Sequence, residues 1–76
     1  MTIYDKGLVS SAQSRVTEES WIWREAFTAL GFEADKIYYS AGSLVFYSSV
    51  LGVNLRSTLS ASTEKWLEEN CPEIFL

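Results

Sequence analysis

Apolar residues return every three to four positions over residues 16–30 and every second position over residues 37–59. The first period is that of a helix with one buried stripe, the second that of half-buried strands. At about 100° per residue, Val16, Trp23, Ala26, Phe27 and Leu30 fall on one stripe. Thr17 suits the N-cap of such a helix, with Glu18 and Glu19 in the first turn where carboxylates favour the positive end of the dipole. Gly31 suits the C′ position, from which Phe32 folds back on Phe27. Val9 and Ala12 extend the stripe upstream, so a start near Ser10 or Ser11 stands beside the one at Thr17. Residues 1–14 are then either an arm or an extension of the helix.

The middle of the chain predicts three strands. Ile37 to Ser40 is short, aromatic and β-branched, and Ala41-Gly42 supplies a turn. Ser43 to Val50 follows, with Leu44, Phe46 and Val50 alternating against Val45 and Tyr47. After Gly52, Val53, Leu55, Ser57 and Leu59 alternate with Asn54, Arg56 and Thr58. A turn at Ser48-Ser49 is the competing register. Ser60, Ser62 or Thr63 can cap a second helix over Glu64 to Asn70, with Leu67 and Cys71 on its inner face, and Pro72 ends it. Ile74 and Phe75 are apolar enough to dock on the core. The expected fold is a single α+β domain over residues 1–76, a small two-layer arrangement of a three-stranded antiparallel meander and two helices in the order α-β-β-β-α.

Charge adds an asymmetry to this outline. The chain of 76 residues carries ten acids against six bases, a formal net charge of −4. Residues 36–59 contain no acid and only Lys36 and Arg56, whereas Glu18, Glu19, Glu25, Glu33 and Asp35 lie before them and Glu64, Glu68, Glu69 and Glu73 after. The acid therefore lies towards both ends of the chain, and the small positive excess in the predicted sheet. An isoelectric point near 4.6 opposes a protein built on phosphate contacts, so no direct nucleic-acid partner is expected.

Missing residue types narrow the chemistry further. There is no histidine, which removes imidazole bases, Ser-His and Cys-His pairs and histidine metal ligands. Cys71 is the sole cysteine, so neither an intrachain disulfide nor a multi-thiolate metal site is available, and a reduced cytoplasmic setting is expected. The four glycines are isolated and form no phosphate loop, and neighbouring glutamates on helices diverge by about 100° instead of forming a dyad. No cofactor, metal site, catalytic residue or membrane span is expected, since the most apolar run, Leu44 to Leu55, is too short to cross a bilayer.

What remains is recognition. Trp21 lies about 160° from Trp23 on the helical wheel, away from the buried stripe, on a ridge with Glu18, Glu25 and Thr28. A large aromatic on an acidic ridge has the composition of an interface anchor. The competing reading tucks Trp21 under the N-terminal arm, against Ile3, Tyr4 or Leu8. Glu64, Glu68 and Glu69 offer a second acidic surface able to imitate phosphate before a basic partner. The sequence thus predicts a small acidic protein-binding module whose partner is a larger basic protein or nucleoprotein complex. In size, charge and lack of catalytic residues it is comparable to phage and mobile-element inhibitors of nucleases, restriction enzymes or CRISPR complexes. A homodimer or accessory subunit is the second reading. Single-stranded nucleic-acid binding through Tyr38, Tyr39, Phe46 and Tyr47 is the third, and the same sheet could instead recruit a chain by strand addition.

Overall fold

The computed structural model describes residues 1–76 and bears out the α+β class, with one strand and one helix more than expected. The elements run β1 (Thr2–Ile3), α1 (Lys6–Glu19), α2 (Trp21–Leu30), β2 (Lys36–Ser40), β3 (Ser43–Ser48), β4 (Val53–Thr58) and α3 (Ala61–Asn70), closed by a 3₁₀ turn at Pro72–Phe75. The sheet is antiparallel throughout, in the order β1-β2-β3-β4.

The N-terminal segment is neither a loose arm nor a simple extension. Thr2 and Ile3 pair with Tyr38 and Ile37, which puts Ile3 in the core at the sheet's edge. Asp5 then caps α1, its carboxylate accepting the Leu8 N–H at 3.0 Å. This cap, rather than Thr17 or a serine at 10 or 11, starts the helix, and it explains why Val9 and Ala12 are buried.

The expected helix over 16–30 is broken at Ser20. That residue is extended, at φ −139° and ψ 117°, and both ends α1 and begins α2. Its N–H donates to the Val16 carbonyl and its carbonyl accepts the Arg24 N–H, both at 3.1 Å, so backbone groups stay paired across the break. Thr17 is consequently a residue of the last turn of α1. Its carbonyl, freed by the break, accepts from Arg24 Nε at 3.3 Å.

The end of α2 follows the expected pattern closely. Gly31 is left-handed at φ 62°, its N–H reaches the Thr28 carbonyl at 3.2 Å, and the Phe32 N–H reaches the Phe27 carbonyl at 2.9 Å. The accompanying ring contact places Phe32 and Phe27 with centroids 5.3 Å apart. Leu30, the last residue of α2, departs from the predicted stripe: it is 48% exposed.

All helices lie over one face of the sheet. Val9, Ala12, Val16, Phe27, Phe32, Leu67, Cys71 and Ile74 meet Ile37, Leu44 and Phe46 there, with Trp23, Leu55, Leu59, Trp66 and Phe75 at the margin. The turn between β3 and β4 covers residues 49–52, so β3 ends at Ser48 and Val50 projects into solvent instead of continuing the core alternation. Ser48 is buried, and its hydroxyl accepts the Leu51 N–H inside that turn. Asp35 ties the turn from outside by accepting both the N–H and the hydroxyl of Ser49, which holds its carboxyl below the ordinary carboxylate range. The helix expected at 64–70 starts earlier, at Ala61, because the Ser60 hydroxyl accepts the Thr63 N–H at 3.1 Å. No helix is long and apolar enough to cross a membrane.

Candidate functional site

The outer surface of α2 is fixed by what its inner surface does. Phe27 sits within a cluster of aromatic rings: Trp23 at 5.9 Å, Phe32 at 5.3 Å and, edge-on at 82°, Phe46 at 5.6 Å. Offset and edge-to-face contacts at these separations each contribute about 0.5–1.5 kcal/mol beyond the area they bury. With that side pinned, the residues turned away from it are presented on a rigid support.

Trp21 is the first of them, and it is 66% exposed. The N-terminal arm does not cover it, because Ile3 is engaged in β1 and Leu8 packs on the core. Glu25 and Thr28 are exposed at the four- and seven-residue spacings that continue its ridge. Ile22, which the sequence reading passed over, is 61% exposed beside it. The signal was present: Ile22 and Ala29 share a seven-residue spacing on the flank opposite Phe27, so α2 is apolar on two sides. Arg24, Glu25, Thr28 and Ala29 border a shallow open depression of about 430 Å³ on this outer surface.

The remaining predicted residues go elsewhere. Glu18 precedes the break and leaves the Trp21 ridge, since the continuous helix that would have aligned them does not form. It borders a groove of about 380 Å³ between α1 and α3, together with Ser10, Ser11, Ser14, Arg15 and Trp66. Arg15 spans this groove, donating to the Ser62 hydroxyl at 2.6 Å.

Glu64, Glu68 and Glu69 are all exposed on α3, and none is held in an ion pair. They are not one ridge. At about 100° per residue Glu64 and Glu68 lie on one flank and Glu69 on the other, with Lys65 between them. No hydrogen bond or ion pair joins them to the α2 surface. The predicted acids are thus divided among three helices, Glu18 on α1, Glu25 on α2 and Glu64, Glu68 and Glu69 on α3, and do not share one ridge.

Glu19 has a structural task. Its carboxylate accepts from the hydroxyls of Thr63 and Ser60 and sits 3.5 Å from Arg15 Nε. It thereby fastens the end of α1 to the start of α3, where the helix dipole also favours a negative charge. The Thr63 hydrogen bond is the leading reason its carboxyl is held below the usual value.

The four sheet aromatics divide between the two faces. Phe46 is buried under the helices, and Tyr39 meets Phe75 in a tilted contact with centroids 5.2 Å apart. Only Tyr38 and Tyr47 lie on the uncovered face, and the Lys36 ammonium rests over them at 5.9 and 4.7 Å. The stacking platform of the third reading is thus halved in number, and its rings are already occupied by the chain's own cation. Cys71 is fully buried, and burial raises its thiol pKa above the ordinary value, with Glu73 and Asp5 adding to the shift.

No protein-family model, curated protein or solved structure matches this chain.

Proposed function

We propose that this protein is a non-catalytic binding module that docks the outer surface of α2 on a larger, basic protein or nucleoprotein complex and occludes it. The observation that carries the reading is the exposure of Trp21. An indole left two-thirds in water on a helix pinned by ring contacts costs solvation in the free protein and returns it on binding. Ile22 broadens the apolar centre, and Glu25 supplies charge at its margin, the arrangement of an interface core with a polar rim.

The net charge of −4 favours a basic surface as the target, because long-range attraction accelerates encounter with it and repels polyanions. Glu64, Glu68 and Glu69 contribute to that field from α3 without belonging to the docking surface. Occlusion of a basic, nucleic-acid-binding surface is the action this chemistry supports, as in inhibitors of nucleases and of CRISPR complexes.

Affinity capture from the native host tests the reading, comparing wild type with Trp21→Ala and with a triple Glu64, Glu68, Glu69→Lys variant. The expected result is a basic partner retained by wild type, lost with Trp21→Ala and weakened by the charge reversal. Equal retention by wild type and a folded Trp21→Ala protein would overturn it.

A further inference from the structure

We infer that the outer edge of β4 is a pairing surface for a second copy of this chain, joining two sheets into one across a two-fold axis. The two edges of the sheet are treated differently. At one, β1 covers part of β2 and is itself tied down, with the Met1 ammonium 3.4 Å from the Ile74 carbonyl. At the other, β4 pairs only with β3, and no backbone group of Val53–Thr58 bonds to any further element. Every second residue of β4 therefore presents an unpaired N–H and C=O outward.

Natural edges are protected by proline, bulges, short length or a charge aimed along the edge. β4 has six residues, no proline and an unbroken register with β3. Its only charge, Arg56, is turned inward across the sheet, Nη1 donating to the Ser40 carbonyl at 3.2 Å. Partly exposed apolar side chains follow the same edge. Val53 is 37% exposed and Leu55 half-buried on the helical side of β4, and Leu51, 40% exposed, and half-buried Leu59 flank the strand in sequence.

The sequence of this edge is self-complementary, which selects a second copy as its occupant. In an antiparallel two-fold pair, opposed residues must lie on the same side of the sheet, so the axis passes through a residue. An axis at Arg56 would set two like charges face to face. An axis at Leu55 sets Leu55 against Leu55 and Val53 against Ser57 on the helical side, so Leu55 of each copy, flanked by Val53, forms the apolar centre of the seam. On the other side Asn54 meets Arg56, a pairing that leaves no like charge opposed. Trp21 forms none of the residue pairs of this register.

Light scattering after size exclusion, from micromolar to millimolar protein, tests this at physiological salt. Wild type is expected to move with concentration towards twice the monomer mass. Val53→Lys, at a partly exposed position, is expected to raise the dimer dissociation constant about tenfold or more, since it introduces a charge into both halves of the seam. Trp21→Ala should dimerise as wild type does, which separates this inference from the proposed partner surface. As a second measurement, a mixed-label sample should give a Leu55-to-Leu55 intermolecular contact by nuclear Overhauser effect. A wild-type protein that stays monomeric at millimolar concentration overturns the inference. So does a dimer that survives in folded Val53→Lys and is lost in Trp21→Ala.

Discussion

Replacing Trp21 with alanine should leave the fold nearly as stable as before while removing most of the affinity for a partner. A tryptophan side chain offers up to about 250 Å² of contact area. With 66% of the residue in solvent, roughly 160 Å² is free to be buried by another molecule and roughly 85 Å² is buried by the chain itself. At about 25 cal/mol per Å² the inner portion corresponds to at most about 2 kcal/mol. The alanine methyl and the compactness of the unfolded chain reduce this, and alanine's higher helix propensity offsets about 0.5 kcal/mol more. The expected loss of stability is therefore about 1 kcal/mol or less. The outer portion corresponds to about 4 kcal/mol on the same scale, of which association commonly returns only part, so affinity should fall roughly 30- to 150-fold. Phe27→Ala provides the contrast. It removes a buried ring at the centre of three aromatic contacts and should cost about 3–5 kcal/mol. Urea denaturation followed by far-ultraviolet circular dichroism measures both costs, and titration calorimetry with the captured partner measures the affinity. The reasoning fails if Trp21→Ala is as destabilising as Phe27→Ala, or if it binds within about twofold of wild type.

Three further outcomes follow from particular contacts. Asp5→Ala removes the cap of α1 and should lower the urea-unfolding free energy by about 1 kcal/mol, whereas Thr17→Ala, in the last turn, should change it much less. The carboxyls of Glu19 and Asp35 are held below their ordinary values in the folded state. Their stabilisation is therefore complete above the unfolded values of 4.5 and 3.8 and is lost as pH falls through the lower folded values, with Glu19→Gln flattening the acid limb of a stability-against-pH curve. Cys71 behaves oppositely at the alkaline end. Its contribution is complete below the unfolded value of 9.0 and is lost as pH rises through the raised folded value, and alkylation of the native protein should be far slower than in urea.

Much of this architecture is legible in the periodicities. Strand alternation across Val53 to Thr58, the Ala41-Gly42 turn and the Gly31 ending with its Phe27–Phe32 contact are all local patterns, and the structure follows them. What the sequence hid depends on tertiary partners. Thr2–Ile3 is too short to register as a strand and forms only because β2 offers an edge. The break at Ser20 leaves no mark in the sequence's apolar periodicity, so the pattern alone reads α1 and α2 as one element.

The candidate surface divides the same way. The projection of Trp21 is a wheel property of a ten-residue helix and survives the break. The alignment of Glu18 with Trp21 needed helical continuity through Ser20, and it does not survive. Ile22 was obscured because its neighbours Trp21 and Trp23 dominate the hydrophobic pattern, and the exposed side of an amphipathic helix is not where an apolar residue is expected.

The most direct measurement is the fluorescence of Trp21 in a Trp23→Phe, Trp66→Phe background, free and bound to the captured partner. In the free protein the account predicts red-shifted emission and ready quenching by acrylamide. On binding it predicts a blue shift and strong protection from the quencher. An indole already shielded in the free monomer, or one whose emission and quenching are unchanged in the complex, would contradict the claim that this ring is the docking anchor.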